Sequence, residues 1–468
     1  MRNKTEQNNR LPFVFMVQLA CLVMMGIVES LNMTKGGIPG INVPLLMNGG
    51  IMLALMGLWG ITVWKTPRAV LRRNVILGIL MFLWFLTLEM NRRINHTPLQ
   101  SFTLVAAVYL IALPFAALTQ DQDRQTGIQL VSGIYAVTSL LLLTCGLILL
   151  VGGKLPGALV SRVYWDGPRL FVLHHPNLTS RMFMIGLALC MGFAGQVKPI
   201  WAKVLLCLAA VLLFAGIALT NCRAVIIVSC VILAGNMFFL FYNSAHKRFF
   251  VGAVAAVLTA AVLFLSSNWI YQWNRTRLID LNAQRAEQEQ ALVVEPDDSD
   301  NEDVLSEEVP AETAPQWTLA GNGNSSQGTL LDGIPTMNGR TRIWAAYFEK
   351  IWNEPAILLR GVTDTRLVLG NMHTHNAWME ALIMLGLPGF LLVLLFCWNA
   401  TRASLRLLWH TGTGLFRKNV ALLTLATMVA ALLEPCLFIT YLEWSFSDFF
   451  FFLCLGYLTL WDKQIRRK

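Results

Sequence analysis

Apolar runs of about 20 residues recur from one end of the chain to the other, each long enough to cross roughly 30 Å of hydrocarbon. Lipid offers no hydrogen bonds to an open backbone, so runs of this length cross it as helices; a barrel would show short segments of alternating polarity. The composition, 56 % hydrophobic and 13 % charged, exceeds what a soluble core of this size needs. The expected fold class is therefore an all-α polytopic membrane protein. The expected windows are 12–32, 44–64, 75–91, 101–119, 127–152, 181–197, 200–220, 224–242, 249–270, 378–400, 419–440 and 444–461, about 12 transmembrane helices in all. The first follows Arg2, Lys4 and Arg10 as a signal peptide would, but no small-residue cleavage site follows it, so it is expected to stay as an anchor.

Charge placement sets the expected orientation. Lys65, Arg68, Arg72 and Arg73 follow the second window, and Lys247 and Arg248 the eighth. Arg402, Arg406, Arg417 and Lys418 follow the tenth, and Lys463, Arg466, Arg467 and Lys468 close the chain. All fall on one side if both termini are cytoplasmic, because short cytoplasmic segments carry the excess of Lys and Arg. The segments 153–180 and 271–375 are then external. The net charge of +9 is read as this topology signal, and nucleic acid is not expected as a partner. The nine cysteines lie within or beside the apolar windows, so no disulfide framework is expected, and neither C-x-x-C nor H-E-x-x-H offers a metal site.

The expected organisation is a bundle over 1–270, an external loop over 271–375 and further spans over 376–468. Within the loop, 286–315 is acidic with Pro296, Pro310 and Pro315, and 318–339 is rich in Gly, Asn and Ser. Such stretches bury too little apolar surface to order themselves, so a disordered acidic insertion is expected near 286–338. Ile343, Trp344, Tyr347, Phe348, Ile351 and Trp352 then recur at helical spacing until Glu354-Pro355. They describe an amphipathic helix lying on the bundle or on the bilayer interface.

The loop ends in His373-Thr374-His375-Asn376, and Gly386-Leu387-Pro388-Gly389 follows. An imidazole can take a proton from a hydroxyl nucleophile near neutral pH. Asn376 can cap the helix that follows, and Glu380, about one turn on, can orient His375 or offset its charge. Gly386, Pro388 and Gly389 break that helix and allow close backbone approach. His373 is the second candidate imidazole. Equally, His375 is an interfacial polar residue and the Gly-Pro-Gly a plain kink. Arg223 stands in the short connection Thr220-Asn221-Cys222-Arg223 between two apolar windows, and Arg340 and Arg342 open the amphipathic helix. A guanidinium fork matches phosphate oxygens. The plainer readings are a snorkelling Arg223, a solvated Arg340 and Arg342, and an interface anchor at Arg181. Glu434, before Pro435 in an apolar window, is either a further candidate as an intramembrane carboxylate or a residue close to the outer end of its span. The Phe449–Phe452 run is read as packing or lipid contact.

These residues together resemble the O-antigen ligase and polymerase (WaaL/Wzy) superfamily. His375, Asn376, Gly386 and Gly389 match its H-[NSQ]-x9-G-x-x-[GTY] signature. Thr220-Asn221-Cys222-Arg223-Ala224 is similar to the family's small-Ser-Arg-small element, with Cys222 where serine is usual. Gly339-Arg340 with Trp344 and Glu354-Pro355, and His175-Pro176-Asn177 before a span, resemble two further elements. The resemblance covers roughly residues 170–400 and implies a GT-C-like membrane glycosyltransferase. Such an enzyme is metal-independent, needs no cofactor, and takes a glycan from undecaprenyl pyrophosphate. It implies that Arg223 and Arg340, with Arg342 as a second candidate, hold the donor pyrophosphate. His375 would activate the acceptor hydroxyl, with inversion at the anomeric carbon. The acceptor would be lipid A–core for a ligase, placed first, or a growing polysaccharide for a Wzy-type polymerase. The implied location is the bacterial cytoplasmic membrane with the site external. A lipid-linked glycan transporter is the reading from another class; such proteins put polar sites near the midplane and often repeat their halves, and neither pattern is visible here.

Overall fold

The structure is a computed structural model that describes residues 121–151, 163–166, 169–172, 176–242, 248–293, 340–362, 374–410, 412–432 and 446–466. In chain order these form α1 (Asp121–Leu150), β1 (Val163–Asp166), β2 (Arg169–Val172), α2 (Pro176–Ala194), α3 (Ile200–Thr220), α4 (Arg223–Tyr242) and α5 (Phe249–Val293). Then follow α6 (Arg340–Asn353), α7 (Ala356–Arg360), α8 (Ala377–Trp409), α9 (Leu415–Ala430) and α10 (Phe446–Arg466). The described part is an all-α membrane-type bundle with one small hairpin. Among the described residues, six helical stretches are long and apolar enough to cross a membrane: Ile128–Leu150, Asn177–Ala194, Ile200–Thr220, Arg223–Tyr242, Phe249–Arg277 and Gly386–Trp409. The four windows between 12 and 119 lie outside the described residues.

Local sequence explains where several helices start and stop. Pro176 opens α2, a position where its missing N–H goes unnoticed. Pro199 precedes α3 in an extended conformation, and Asn221 ends that helix in the left-handed region (φ 53°), its backbone N–H bonded to the Ala218 carbonyl. Within the helices, Thr and Ser hydroxyls donate to carbonyls three or four residues back, as at Ser139, Thr220, Thr424 and Thr427. That satisfies the hydroxyls without water.

α2 and α9 lie at the centre. α2 packs on α1, α3, α4 and α9, and α9 packs on α4, α8 and α10 as well. Phe183, Met184 and Leu187 of α2 and Val420 and Ala421 of α9 have no exposed surface. Close approach is bought by small residues: a Cβ on Gly186 would lie 2.9 Å from Ser139, and one on Gly216 would lie 2.7 Å from Leu143. The outward faces stay apolar, with Val204, Leu208 and Val211 of α3 and Val257, Leu258, Val262 and Leu265 of α5 exposed. Apolar faces of this extent suit hydrocarbon and not water. Phe450 and Phe451 are buried, and the Phe450 ring lies 5.3 Å from that of Tyr135, so this part of the aromatic run packs between helices.

Two elements differ from the sequence-based expectation. Segment 153–180 contains an antiparallel hairpin, registered from Val163↔Val172 to Asp166↔Arg169. Its Leu170 is fully buried, in line with Gly146 of α1, where an added Cβ would meet it at 2.7 Å. α5 does not end near residue 270 but continues to Val293, because Gln, Arg, Glu, Ala and Leu after Trp273 are good helix formers, while charged residues among them interrupt any long apolar run. Arg277 donates from Nη2 to the Leu150 carbonyl at 2.8 Å, tying α5 to the end of α1.

The helices alternate in direction, which separates two ends. At one, the Lys418 ammonium of α9 lies 4.8 Å from the Phe239 ring centroid and 5.6 Å from that of Tyr242. Trp409, the last residue of α8, packs edge-on against Phe238, Phe239 and Tyr242. Arg406 of α8 and Arg466 of α10 share Asp462, and Arg417 lies over Trp461. This is the basic end. At the other, the Ala377 amide at the start of α8 donates to the Ala431 carbonyl just beyond α9, and Trp378 Nε1 donates to the Met428 carbonyl. α4 and α8 therefore run the same way with α9 antiparallel to both, so Arg223 and His375 begin their helices at the same end.

Candidate functional site

Thr374, His375 and Asn376 form a tight turn held from both sides. Thr374 Oγ1 donates to the Asn376 carbonyl (3.0 Å) and accepts from the Asn376 amide (3.2 Å). Asn376 Oδ1 accepts from the amides of Trp378 (2.9 Å) and Met379 (3.1 Å), the N-cap expected of it. His375 between them is half-buried and left-handed, with φ 50°. A non-glycine residue in that region is uncommon, histidine less so than most. The side chains on either side of it, Thr374 and Asn376, are tied to the backbone.

α6 is brought to the same turn by one bond: Trp344 Nε1 donates to the Thr374 carbonyl at 2.7 Å. The helix is amphipathic as expected. Tyr347 and Ile351 are buried with Ile357 and Ile383 in a small separate core, whereas Phe348 and Trp352 are 57 % and 87 % exposed. At its start Arg340 is half-buried and Arg342 exposed, so Arg340 is the one turned towards the protein.

Arg223 opens α4 directly after the turn that closes α3. Thr220 Oγ1 donates to the Ile217 carbonyl at 2.7 Å and accepts from the Cys222 amide at 3.4 Å. The Cys222 carbonyl accepts from Ile226, so Cys222 stands as the N-cap, and its thiol is buried. Arg223 is half-buried, and its Nη1 is enclosed with no hydrogen-bond partner among the described residues; Asn221 Oδ1 in the same turn is in the same condition. A snorkelling arginine would have its nitrogens in water; this one holds a donor out of it. Leaving such a donor unmet costs roughly 1–3 kcal/mol, so the position favours an anionic acceptor.

Glu380 is fully buried in the first turn of α8, one turn from His375. Arg181, read from sequence as an interface anchor, is instead buried to 7 % exposure near the start of α2. That corrects the plainer reading and adds Arg181 to Arg223, Arg340 and Arg342 as a fourth guanidinium at this end of the bundle. Its apolar flanks Met182, Phe183 and Met184 concealed it, because they give no sign of whether a helix end is covered.

The glycines of the signature lie away from the imidazole. Gly386 is ten residues beyond Asn376, roughly 15 Å along the helix axis. α8 breaks there, with Gly386 at φ 65°, ψ 177°, a conformation open almost only to glycine. A Cβ on Gly386 would meet the Leu359 carbonyl oxygen at 2.8 Å, the Leu358 oxygen at 3.0 Å and the Gly361 nitrogen at 3.1 Å. Val362 N donates to the Ile383 carbonyl freed by the break (2.9 Å). The kink is thus a dock for the α7 corner, which carries the peptide between α6 and the His375 turn. Gly389 is buried one turn on.

The structure therefore brings Arg223, His375, Asn376, Glu380 and α6 to one end of the bundle and sets Gly386 and Gly389 deeper, as support. His373, His175, Glu434 and Pro435 lie outside the described residues. Compared with protein-family models and with curated proteins, the chain matches none.

Proposed function

We propose that the chain is a membrane glycosyltransferase that moves a glycan from undecaprenyl pyrophosphate to a sugar hydroxyl, as an O-antigen ligase does with lipid A–core as acceptor. In this reading it has a twelve-span, GT-C-like bundle in a bacterial cytoplasmic membrane, with both termini cytoplasmic and the His375 end external. The observation that carries the reading is the enclosed, unmet Nη1 of Arg223 at the same end of the bundle as a histidine held in a left-handed turn. One supplies a fixed cation where a diphosphate would leave; the other supplies a base where a hydroxyl would enter.

The chemistry follows from those two groups. His375 takes the proton of the acceptor hydroxyl as its oxygen attacks the anomeric carbon. The bond from that carbon to the pyrophosphate oxygen breaks, and the lipid pyrophosphate departs with the bonding electron pair. Arg223 and Arg340 offset the charge that develops there, with Arg342 and Arg181 as further cations. Buried Glu380 balances the imidazolium. Attack opposite the leaving group inverts the anomeric centre.

The test is to incubate purified protein with a polyprenyl-pyrophosphate glycan, with and without a lipid A–core acceptor. Glycan on the lipid A–core supports the ligase. Elongated glycan on the polyprenyl carrier instead assigns a polymerase. No transfer with either acceptor, while labelled donor still crosses the membrane, rejects the enzyme reading in favour of a transporter.

A further inference from the structure

The basic end carries a feature that glycan transfer at the opposite end does not use. A cavity of about 550 Å³ opens between the first turns of α3 and the last turns of α4, closed from behind by α2 and the α8–α9 turn. That is the size of a small-molecule site. Its walls include Lys203 and Cys207 of α3, Asn236 and Leu240 of α4, Met191 of α2 and Gly414. Lys203, Cys207 and Leu240 are exposed, so the mouth lies on the apolar outer surface beside Val204 and Leu208.

Asn236 identifies what the cavity lacks. It is only 2 % exposed, and its Nδ2 donates to the Ile232 carbonyl at 3.0 Å. That bond fixes which end of the amide is oxygen, because the reverse orientation would set two acceptors against each other. The Oδ1 left over has no partner among the described residues. A buried acceptor in an apolar wall calls for an N–H or O–H donor. Lys203 at the mouth calls for an anion, and the surrounding Met191 and Leu240 call for hydrocarbon.

The geometry points to a phospholipid headgroup site at the basic end, for a lipid whose headgroup carries both a phosphate and a hydrogen-bond donor. The phosphate sits at Lys203, the ammonium or hydroxyl of the headgroup reaches Asn236, and the acyl chains run along the exposed face of α3. Basic pockets between helices are a recurring means of holding anionic headgroups. Phosphatidylethanolamine and phosphatidylglycerol have both groups; phosphatidylcholine has the phosphate and no donor.

The experiment compares lipids on the full-length protein. Protein is reconstituted in nanodiscs of phosphatidylethanolamine or phosphatidylcholine, extracted in mild detergent, and the lipids still bound are counted by native mass spectrometry. Wild-type protein is expected to retain phosphatidylethanolamine about fivefold over phosphatidylcholine, the preference one added hydrogen bond produces. Asn236→Leu is expected to remove the preference, and Lys203→Gln to weaken retention of both lipids. Equal retention of the two lipids by the wild type overturns the proposal, and that comparison stands even if a variant fails to fold. Release of the bound lipid by millimolar inorganic phosphate also overturns it, assigning the cavity to a soluble anion. Glycan transfer is not part of the readout, so failure here and failure of the catalytic reading are separate results.

Discussion

At His375 the backbone and the imidazole can be tested apart. The left-handed turn tolerates asparagine nearly as well as histidine, because a short polar side chain can bond locally. His375→Asn is therefore expected to fold and insert like the wild type while glycan transfer falls by about 10²–10⁴-fold, the usual share of a general base. Transfer within a few-fold of wild type in that variant, measured on membranes with matched protein levels, would remove the base from the mechanism. Arg223 gives the opposite pairing. Its enclosed Nη1 destabilises the resting protein, so Arg223→Met is expected to raise the unfolding temperature in detergent while use of the pyrophosphate donor collapses. A lower unfolding temperature would mean that the guanidinium is a structural tie and not a waiting site. Arg223 was legible from its position between two apolar runs; that Arg181 is buried was not, because burial depends on which neighbours cover a helix end.

Among elements, α8 shows how far a motif reaches. The sequence pattern marked Gly386 and Gly389 as a break, and the break is there, but what it serves is the approach of α7. Gly386→Ala combines a strained backbone with a contact of 2.8 Å to the Leu359 carbonyl. Together these are expected to cost about 2–3 kcal/mol and to detach the α7 corner, read as faster proteolysis near residues 355–362. Asn376→Ala, which removes one N-cap, is expected to cost about 1 kcal/mol and to leave that corner protected. The helix of α6 was readable because its apolar residues recur every three to four positions. The continuation of α5 to Val293 was not, since a polar helix has no hydrophobic period to announce it. Removing residues 294–330, which follow α5, is expected to leave transfer within about twofold of wild type, because their composition offers few apolar residues to bury. Loss of activity would give the insertion a structural part.

On the scale of the molecule, the charges make a directional statement. Lys418, Arg406, Arg417 and Arg466 gather at one end and the His375 turn lies at the other. In the proposed reading the positive-inside rule predicts that His375 lies outside. In a variant whose nine native cysteines are replaced by serine or alanine, a cysteine introduced at exposed Arg342 is expected to react with a membrane-impermeant maleimide in intact spheroplasts; reaction only after lysis would reverse the orientation and with it the proposed access to external glycan. The chain's own pattern of apolar runs decided that it forms membrane-type helices, since hydrocarbon leaves the backbone no alternative, and helix-capping and breaking residues decided where several of them end. Which polar groups share an end of the bundle was decided only by tertiary packing: α9, antiparallel to α4 and α8, puts Arg223 and His375 at a common end from positions 152 residues apart in the sequence. No local pattern carries that relation, because it depends on which face of each helix is buried against which neighbour.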